Sequence, residues 1–303
     1  MNDFIKLIDD EIPNIYFIEG QRNGKYPYSH SLLIENFLID TGISSGFIRK
    51  LRRKFKIENI LLSHWHEDHI SGNRFFKDSA VFYAHGNDLP VIEDVSKMFD
   101  YYSIKDNREQ VELFESILGG LRLENINIDI ILKDNDIIKI KDNYNIRVIH
   151  TPGHSKGHCC FYEINNKILF LGDIDLSSLG PWYGGLDSNV IEFENSIKKI
   201  MKIDVEIAVT GHKGLFFGNK KIKDKLNEYL NVIYQRDERI LSELKENKPL
   251  IIDDLIGKNI IYPRYTQYKI YELLAEKIMI QSHLNKFLID RKISEKDGGY
   301  ILS

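Results

Sequence analysis

Short apolar segments alternate with stretches of helical spacing along the first two thirds of the chain. Residues 14–18 (NIYFI), 31–34 (SLLI) and 37–40 (FLID) are brief, aliphatic or aromatic, and bounded by turn residues, which predicts strands. Beyond Thr41-Gly42, the stretch SSGFIRKLRRKFK sets Phe47, Ile48, Leu51 and Phe55 at helical spacing behind a serine start signal. Residues 57–63 (IENILLS) read as a buried strand that runs directly into a histidine-rich loop. A helix near 70–77, a strand at 81–84 and a charge-rich helical insertion over 90–118 are expected next. From 128 to 173 the pattern turns strand-rich, in DIILKD, DIIKIK, YNIRVIH, HCCFYEI and KILFLGD. A helix over about 188–202 precedes a strand at 205–210. Two strand-rich halves separated by helices predict two facing sheets in an α/β chain.

Beyond about residue 219 the pattern becomes long, charged and helical. It ends in a helical run from Gln267 to about Ile289, then a small hairpin in RKISEKDGGYILS. This shift divides the chain into a unit over 1–220 and an extension over 221–303. The extension carries 15 basic and 13 acidic side chains, a net of +2, and the rest carries 26 and 32, a net of −6, so the negative charge of the chain lies in the first unit. That mild acidity argues against a protein that coats nucleic acid. With 43% hydrophobic and 28% charged residues in 303, the chain is an ordinary globular one and not a disordered one.

The longest unbroken apolar run, residues 80–84, falls far short of the roughly 20 residues that a membrane span needs. The N-terminal stretch lacks the basic start and apolar core of a secretion signal. Cys159 and Cys160 are adjacent, so along a strand they point to opposite faces, fill a core strand and do not pair. A cytoplasmic location follows as an expectation.

The chemistry concentrates in His64-Trp65-His66-Glu67-Asp68-His69, at the end of a buried strand. Imidazole and carboxylate donors packed this closely suit a divalent metal such as Zn, Fe or Mn. The two-residue spacing lets His64 and His66 converge on one ion while Asp68 and His69 turn towards another. Three further candidates also stand at strand ends, each behind a glycine: His154 in TPGH, Asp173 in LGD and His212 in TGH. The glycines allow the backbone to bring each ligand close.

This set, in this order, resembles that of the metallo-β-lactamase-fold superfamily, over roughly residues 14–215. The resemblance implies a four-layer αββα sandwich with two divalent metal ions, zinc foremost and iron or manganese as alternatives, at one edge between the sheets. It implies that His64, His66 and His154 hold the first ion, that Asp68, His69 and His212 hold the second, and that Asp173 bridges them. Asp173 stands where β-lactamases of this fold carry cysteine, which argues against antibiotic hydrolysis. His66 stands where flavodiiron proteins carry glutamate. Glyoxalase II-like thioesterases, lactonases, sulfur dioxygenases and nucleases share the pattern found here, and the stretch after Asp173 resembles an archaeal-type group of hydrolases.

Two ions roughly 3.5–4 Å apart would deprotonate a bridging water near neutral pH, and the hydroxide would attack an ester, thioester or lactone. Asp68 is the candidate to orient that hydroxide or pass on its proton. Asp40 matches a family position that orients ligand imidazoles from behind, with a turn-capping role as the competing reading, and His158 is a candidate for the same support. Trp182 and Tyr183 are expected to shape a small-molecule pocket, with Tyr183 donating to a developing oxyanion. His30, His85, His150 and His283 receive no catalytic role. The basic run from Arg49 to Lys56 reads as a solvated helix face.

The segment from about 249 resembles the helical or winged-helix-like module of the β-lactamase-like RNA-cleaving subfamily. It would either grip nucleic acid or cap the active-site groove and support a homodimer, and its small net charge favours the cap. The expected function is a metal-dependent hydrolase of a small ester, thioester or lactone. Metal-dependent endoribonuclease and mononuclear iron sulfur dioxygenase are the alternatives.

Overall fold

The computed structural model describes residues 4–104, 108–141, 144–246, 248–266 and 268–303. A first sheet takes its seven strands in chain order: β1 (Ile5–Asp9), β2 (Ile12–Ile18), β3 (Ser31–Ile34), β4 (Phe37–Ile39), β5 (Asn59–Leu61), β6 (Val81–His85) and β7 (Ile130–Leu132). It is antiparallel as far as β4 and parallel from β4 to β7. Helix α1 (Ser45–Lys54) crosses from β4 to β5; α2 (Glu67–Ile70) follows β5; α3 (Leu89–Ile92), α4 (Met98–Tyr101) and α5 (Arg108–Leu121) lie between β6 and β7.

The second sheet is β8 (Ile137–Lys141), β9 (Tyr144–His150), β10 (Cys159–Glu163), β11 (Ile168–Phe170), β12 (Ile207–Thr210) and β13 (Gly214–Phe217), again in chain order. Only β11 and β12 pair in parallel there, across α6 (Val190–Ile200). The chain ends with α7 (Asn219–Glu243), α8 (Lys269–Ile289) and a hairpin of β14 (Ile293–Lys296) with β15 (Gly299–Leu302).

Strand alternation sorts the side chains into layers. Leu32, Ile39 and Leu61 meet Val148, Phe161, Phe170 and Val209 between the sheets. One residue along, Leu33, Leu38 and Ile60 face outward onto Ile48 and Leu51 of α1. On the other side, Cys160, Leu169 and Ala208 face Phe193 and Ile197 of α6. The result is the expected helix-sheet-sheet-helix sandwich. Cys159 packs between the sheets and Cys160 on the outer face, both buried and free.

The C-terminal extension closes onto the second sheet. Ile222, Leu226, Leu230, Ile233 and Ile240 recur every three to four residues along α7, or at multiples of that spacing, and join one apolar cluster with Ile280, Leu284 and Phe287 of α8. The same cluster contains Leu169 and Cys160, so residues beyond 220 share a core with the sandwich. No helix among the described residues is long and apolar enough to cross a membrane.

Local differences from the sequence expectations have physical reasons. In place of a helix over 70–77 there is α2 and a short 3-10 turn at Asn73–Phe75. Between them a Cβ on Gly72 would come within 2.4 Å of the Thr41 carbonyl, so the chain presses onto the β4 loop instead of continuing as a helix. Strand β1 was not expected, since it is an edge strand whose buried positions break the two-residue period at a bulge between Leu7 and Asp9. The expected start of the last helix at Gln267 lies outside the described residues.

Candidate metal centre

The C-terminal ends of β5, β9, β11 and β12 converge at one edge of the sandwich. They deliver His64 and His66, His154, Asp173 and His212, while Asp68 and His69 sit on α2. At Gly153 the backbone takes φ 130, and a Cβ there would lie 2.2 Å from the Phe193 backbone nitrogen. Only glycine lets the His154 turn press so close to α6. Gly211 is similarly tight, its notional Cβ lying 2.8 Å from both Asp173 Oδ1 and His69 Cε1.

The imidazoles form two groups. His64 Nε2, His66 Nδ1 and His154 Nε2 lie 2.8–3.2 Å from one another, with Asp173 Oδ2 3.2 Å from His154 Nε2. His69 Nε2 lies 3.4 Å from His212 Nε2, which is 3.4 Å from Asp68 Oδ2. Asp173 Oδ1 stands 2.9 Å from His69 Nε2 and 3.3 Å from His212 Nε2. The two oxygens of Asp173 are thus divided between the groups. His64, His66, His69 and His154 are buried.

Hydrogen bonds on the outer side of each ring fix which nitrogen faces inward bare. Ser63 Oγ donates to Asp40 Oδ2 at 2.6 Å, so it accepts from His64 Nδ1–H at 2.9 Å. His69 Nδ1–H donates to Asp40 Oδ2, His154 Nδ1–H to the Trp182 carbonyl and His212 Nδ1–H to the Gly24 carbonyl, at 2.7, 2.9 and 2.6 Å. In the neutral rings each Nε2 therefore points its lone pair into the centre. His66 turns Nδ1 inward, and its Nε2 has no partner.

Lone pairs and carboxylates facing one another in a buried space suit a bound cation. Tetrahedral coordination at about 2.0–2.1 Å would separate donor nitrogens by about 3.3 Å, close to the spacing seen. The carboxylates register the same demand electrostatically. Burial alone would lower the pKa of His212, yet Asp173 and Asp68 push it up to about 9, and His69 is raised for the same reason. Burial opposes ionisation of Asp173, but His69, His212 and His154 hold its carboxyl well below the usual range. The donor set fits one or more divalent metal ions.

Asp40 also lies near His64 and His69, but as their support. Its carboxylate accepts from the Ser63 amide, the Ser63 hydroxyl and His69 Nδ1–H, at 2.7, 2.6 and 2.7 Å. His158 braces the other side, where its Nε2 accepts the Asp173 N–H at 3.1 Å. Replacing Asp40 with asparagine puts an NH2 where acceptors are required. It is expected to weaken zinc affinity about 10–100-fold, measured by competition with a chromogenic chelator. An unchanged affinity would contradict this role.

A cavity of about 760 Å³ opens over the centre, lined by His66, Asp68, His154, Asp173 and His212 together with Trp182. Tyr183 requires a correction. It is fully buried and absent from the lining, because its hydroxyl is engaged by His283 Nε2 at 2.7 Å and by Arg236 at 3.0 Å. It has no proton to offer an oxyanion in the cavity. His30, His85, His150 and His283 also lie outside the lining. His85 and His150 stack on each other at 3.9 Å, and His30 Nδ1 accepts the Gly20 N–H.

Sequence reasoning missed several residues around the centre. Glu67 lines the cavity, receives the Tyr26 and Tyr102 hydroxyls at 2.7 Å each, and is pushed up to about 7 by burial and the Asp68 charge. Asp88 accepts from the amides of Trp65 and Gly157 and from Ser155 Oγ, tying the His64–His66 loop to the His154 loop. The C-terminal segment contributes Tyr262, Thr266, Tyr268 and Tyr271 to the lining. Glu67 was signalled by its place among the histidines, and the C-terminal residues by the expectation that their segment caps the groove; Asp88 had no such signal.

Residues 27–212, more than half of the chain, match the family model described as the metallo-beta-lactamase superfamily. The hydroxyacylglutathione hydrolase of Francisella tularensis subsp. novicida is 28% identical over 233 residues, covering 75% of each chain. The atrochrysone carboxyl ACP thioesterase of Aspergillus fumigatus is 23% identical over 232 residues, covering 74% of this chain and 61% of that protein. The chain thus spans about three fifths of that relative's length. Among solved structures, a metallo-beta-lactamase family protein from Thermus thermophilus superposes with a TM-score of 0.73 at 18% identity, covering 97% of this chain and 100% of that one.

Proposed function

The chain belongs to the metallo-beta-lactamase superfamily, and from that premise we propose that it hydrolyses thioesters or related small esters and lactones with two divalent metal ions. In this reading His64, His66 and His154 hold one ion, Asp68, His69 and His212 hold the other, and Asp173 serves both. The observation that carries it is the division of the Asp173 oxygens between the two imidazole groups. Zinc is the proposed resident ion because imidazole-rich sets suit it, and iron or manganese would find the same donors.

Divalent ions bound there would lower the pKa of water and polarise a carbonyl oxygen. The protein's own part is positioning. Asp68 stands at the cavity floor, able to accept a proton from an incoming water, and Trp182 forms a wall beside His154. The overall change consumes one water, breaks the acyl C–S bond, forms a C–O bond and leaves a carboxylic acid and a thiol. Residues 1–220 would form the catalytic unit, with 221–303 closing the cavity from above.

The test is a thioester panel assayed before and after chelation. Hydrolysis should fall at least about 100-fold on metal removal and return when Zn, Mn or Fe is restored. Specific RNA cleavage with no turnover of any carbonyl substrate would overturn the reading.

A further inference from the structure

We infer, resting on the hydrolytic reading above, that the acyl group of the substrate is bulky and apolar and lies against an aromatic wall built by α5 and α8. The wall begins at the imidazoles themselves. The Tyr102 ring stacks 5.7 Å from His66, and Trp182 stands 5.5 Å from both His66 and His154. From there it continues through Phe114 of α5, 4.9 Å from Tyr102, and Tyr271 of α8, 5.6 Å from Tyr102 and 6.3 Å from Trp182. Ile104 and Leu113 extend the same surface.

Two polar atoms of this wall are already engaged. The Tyr102 hydroxyl donates to Glu67, and Trp182 Nε1 donates to the Tyr262 hydroxyl at 3.2 Å. A ligand on this side therefore meets mainly ring faces and aliphatic carbons. The lysines that line the cavity, Lys25 and Lys213, lie elsewhere. Lys213 follows His212, and Lys25 follows Gly24, whose carbonyl receives His212 Nδ1–H. The cationic side chains of the lining thus stand beside His212, whereas the rings stand beside His66 and His154, with Glu67 and Glu272 at their margin. At about 760 Å³ the cavity has room for a medium-length acyl chain together with its thiol. A short acyl group would leave the wall uncovered.

The test compares S-acetyl- with S-octanoyl-N-acetylcysteamine as substrates of the metal-loaded enzyme. It also titrates the non-hydrolysable S-octyl thioether into metal-free and metal-loaded protein while Trp182 fluorescence is read, with Trp182→Phe as the control that assigns the signal. The octanoyl thioester should show a kcat/KM at least about 100-fold higher, well within the roughly fourfold per methylene that full burial permits. Phe114→Ala should shrink that ratio about tenfold or more, and the thioether should shift the fluorescence with or without metal. Equal use of both thioesters with no fluorescence response would overturn the inference and leave the hydrolytic reading intact. Thioether binding with no hydrolysis of either compound, or of any ester or lactone assayed beside them, would sustain the apolar site and overturn the hydrolytic reading.

Discussion

Replacing His66 with alanine is expected to lower thioester turnover on the order of a thousandfold and to strip most of the bound metal. His66 Nδ1 lies 3.0 Å from His64 Nε2 and 2.8 Å from His154 Nε2, so its removal takes one corner from the tighter donor group. His64, His154 and one oxygen of Asp173 remain, so the ion would lose one of its four donors and be held more weakly. The fold should survive, because the imidazole contributes no hydrogen bond through Nε2 and its loss relieves crowding among lone pairs. Metal analysis beside a urea unfolding curve separates these effects. Full turnover in a metal-free His66→Ala protein would defeat the proposed role of this residue.

A second large effect is expected outside the donor groups. Arg236 on α7 is fully buried, and its guanidinium donates to the carbonyls of Pro181 and Leu179 at 2.5 and 2.7 Å and to the Tyr183 hydroxyl at 3.0 Å. It thereby ties the extension to the loop whose Trp182 carbonyl orients His154. Methionine in its place fills similar volume but leaves those acceptors buried and unpaired. The expected loss is about 3–5 kcal/mol of stability, visible as a lower urea midpoint. Weaker metal binding should accompany it as the His154 ring loses its fixed partner. A loss below about 1 kcal/mol would mean that water replaces the guanidinium.

What could be read in the chain beforehand divides along a physical line. His64, His66, Asp68 and His69 stand within one short motif at the end of an apolar strand, and His154, Asp173 and His212 each follow a glycine at a strand end. Local order therefore exposes them. The sandwich was legible for the same reason, because buried strands such as Ile168–Phe170 are continuous apolar runs. Orientation within a loop has no period to reveal it. Trp182 and Tyr183 look alike in sequence, yet one lines the cavity and the other turns towards His283, 100 residues away. Asp88 and Arg236 were equally invisible, since their partners on other loops come close only after folding. The cavity's aromatic wall depends on α5 and α8 meeting across the molecule, which no local pattern encodes.

The most direct measurement is a titration of metal-free protein with Zn2+ while hydrolysis of a single thioester is followed. Two coupled sites predict no activity at the outset and a rise that levels off near about two equivalents of metal. Hydrolysis at full rate before any metal is added, or none at saturation, would contradict the proposed metal-dependent hydrolase.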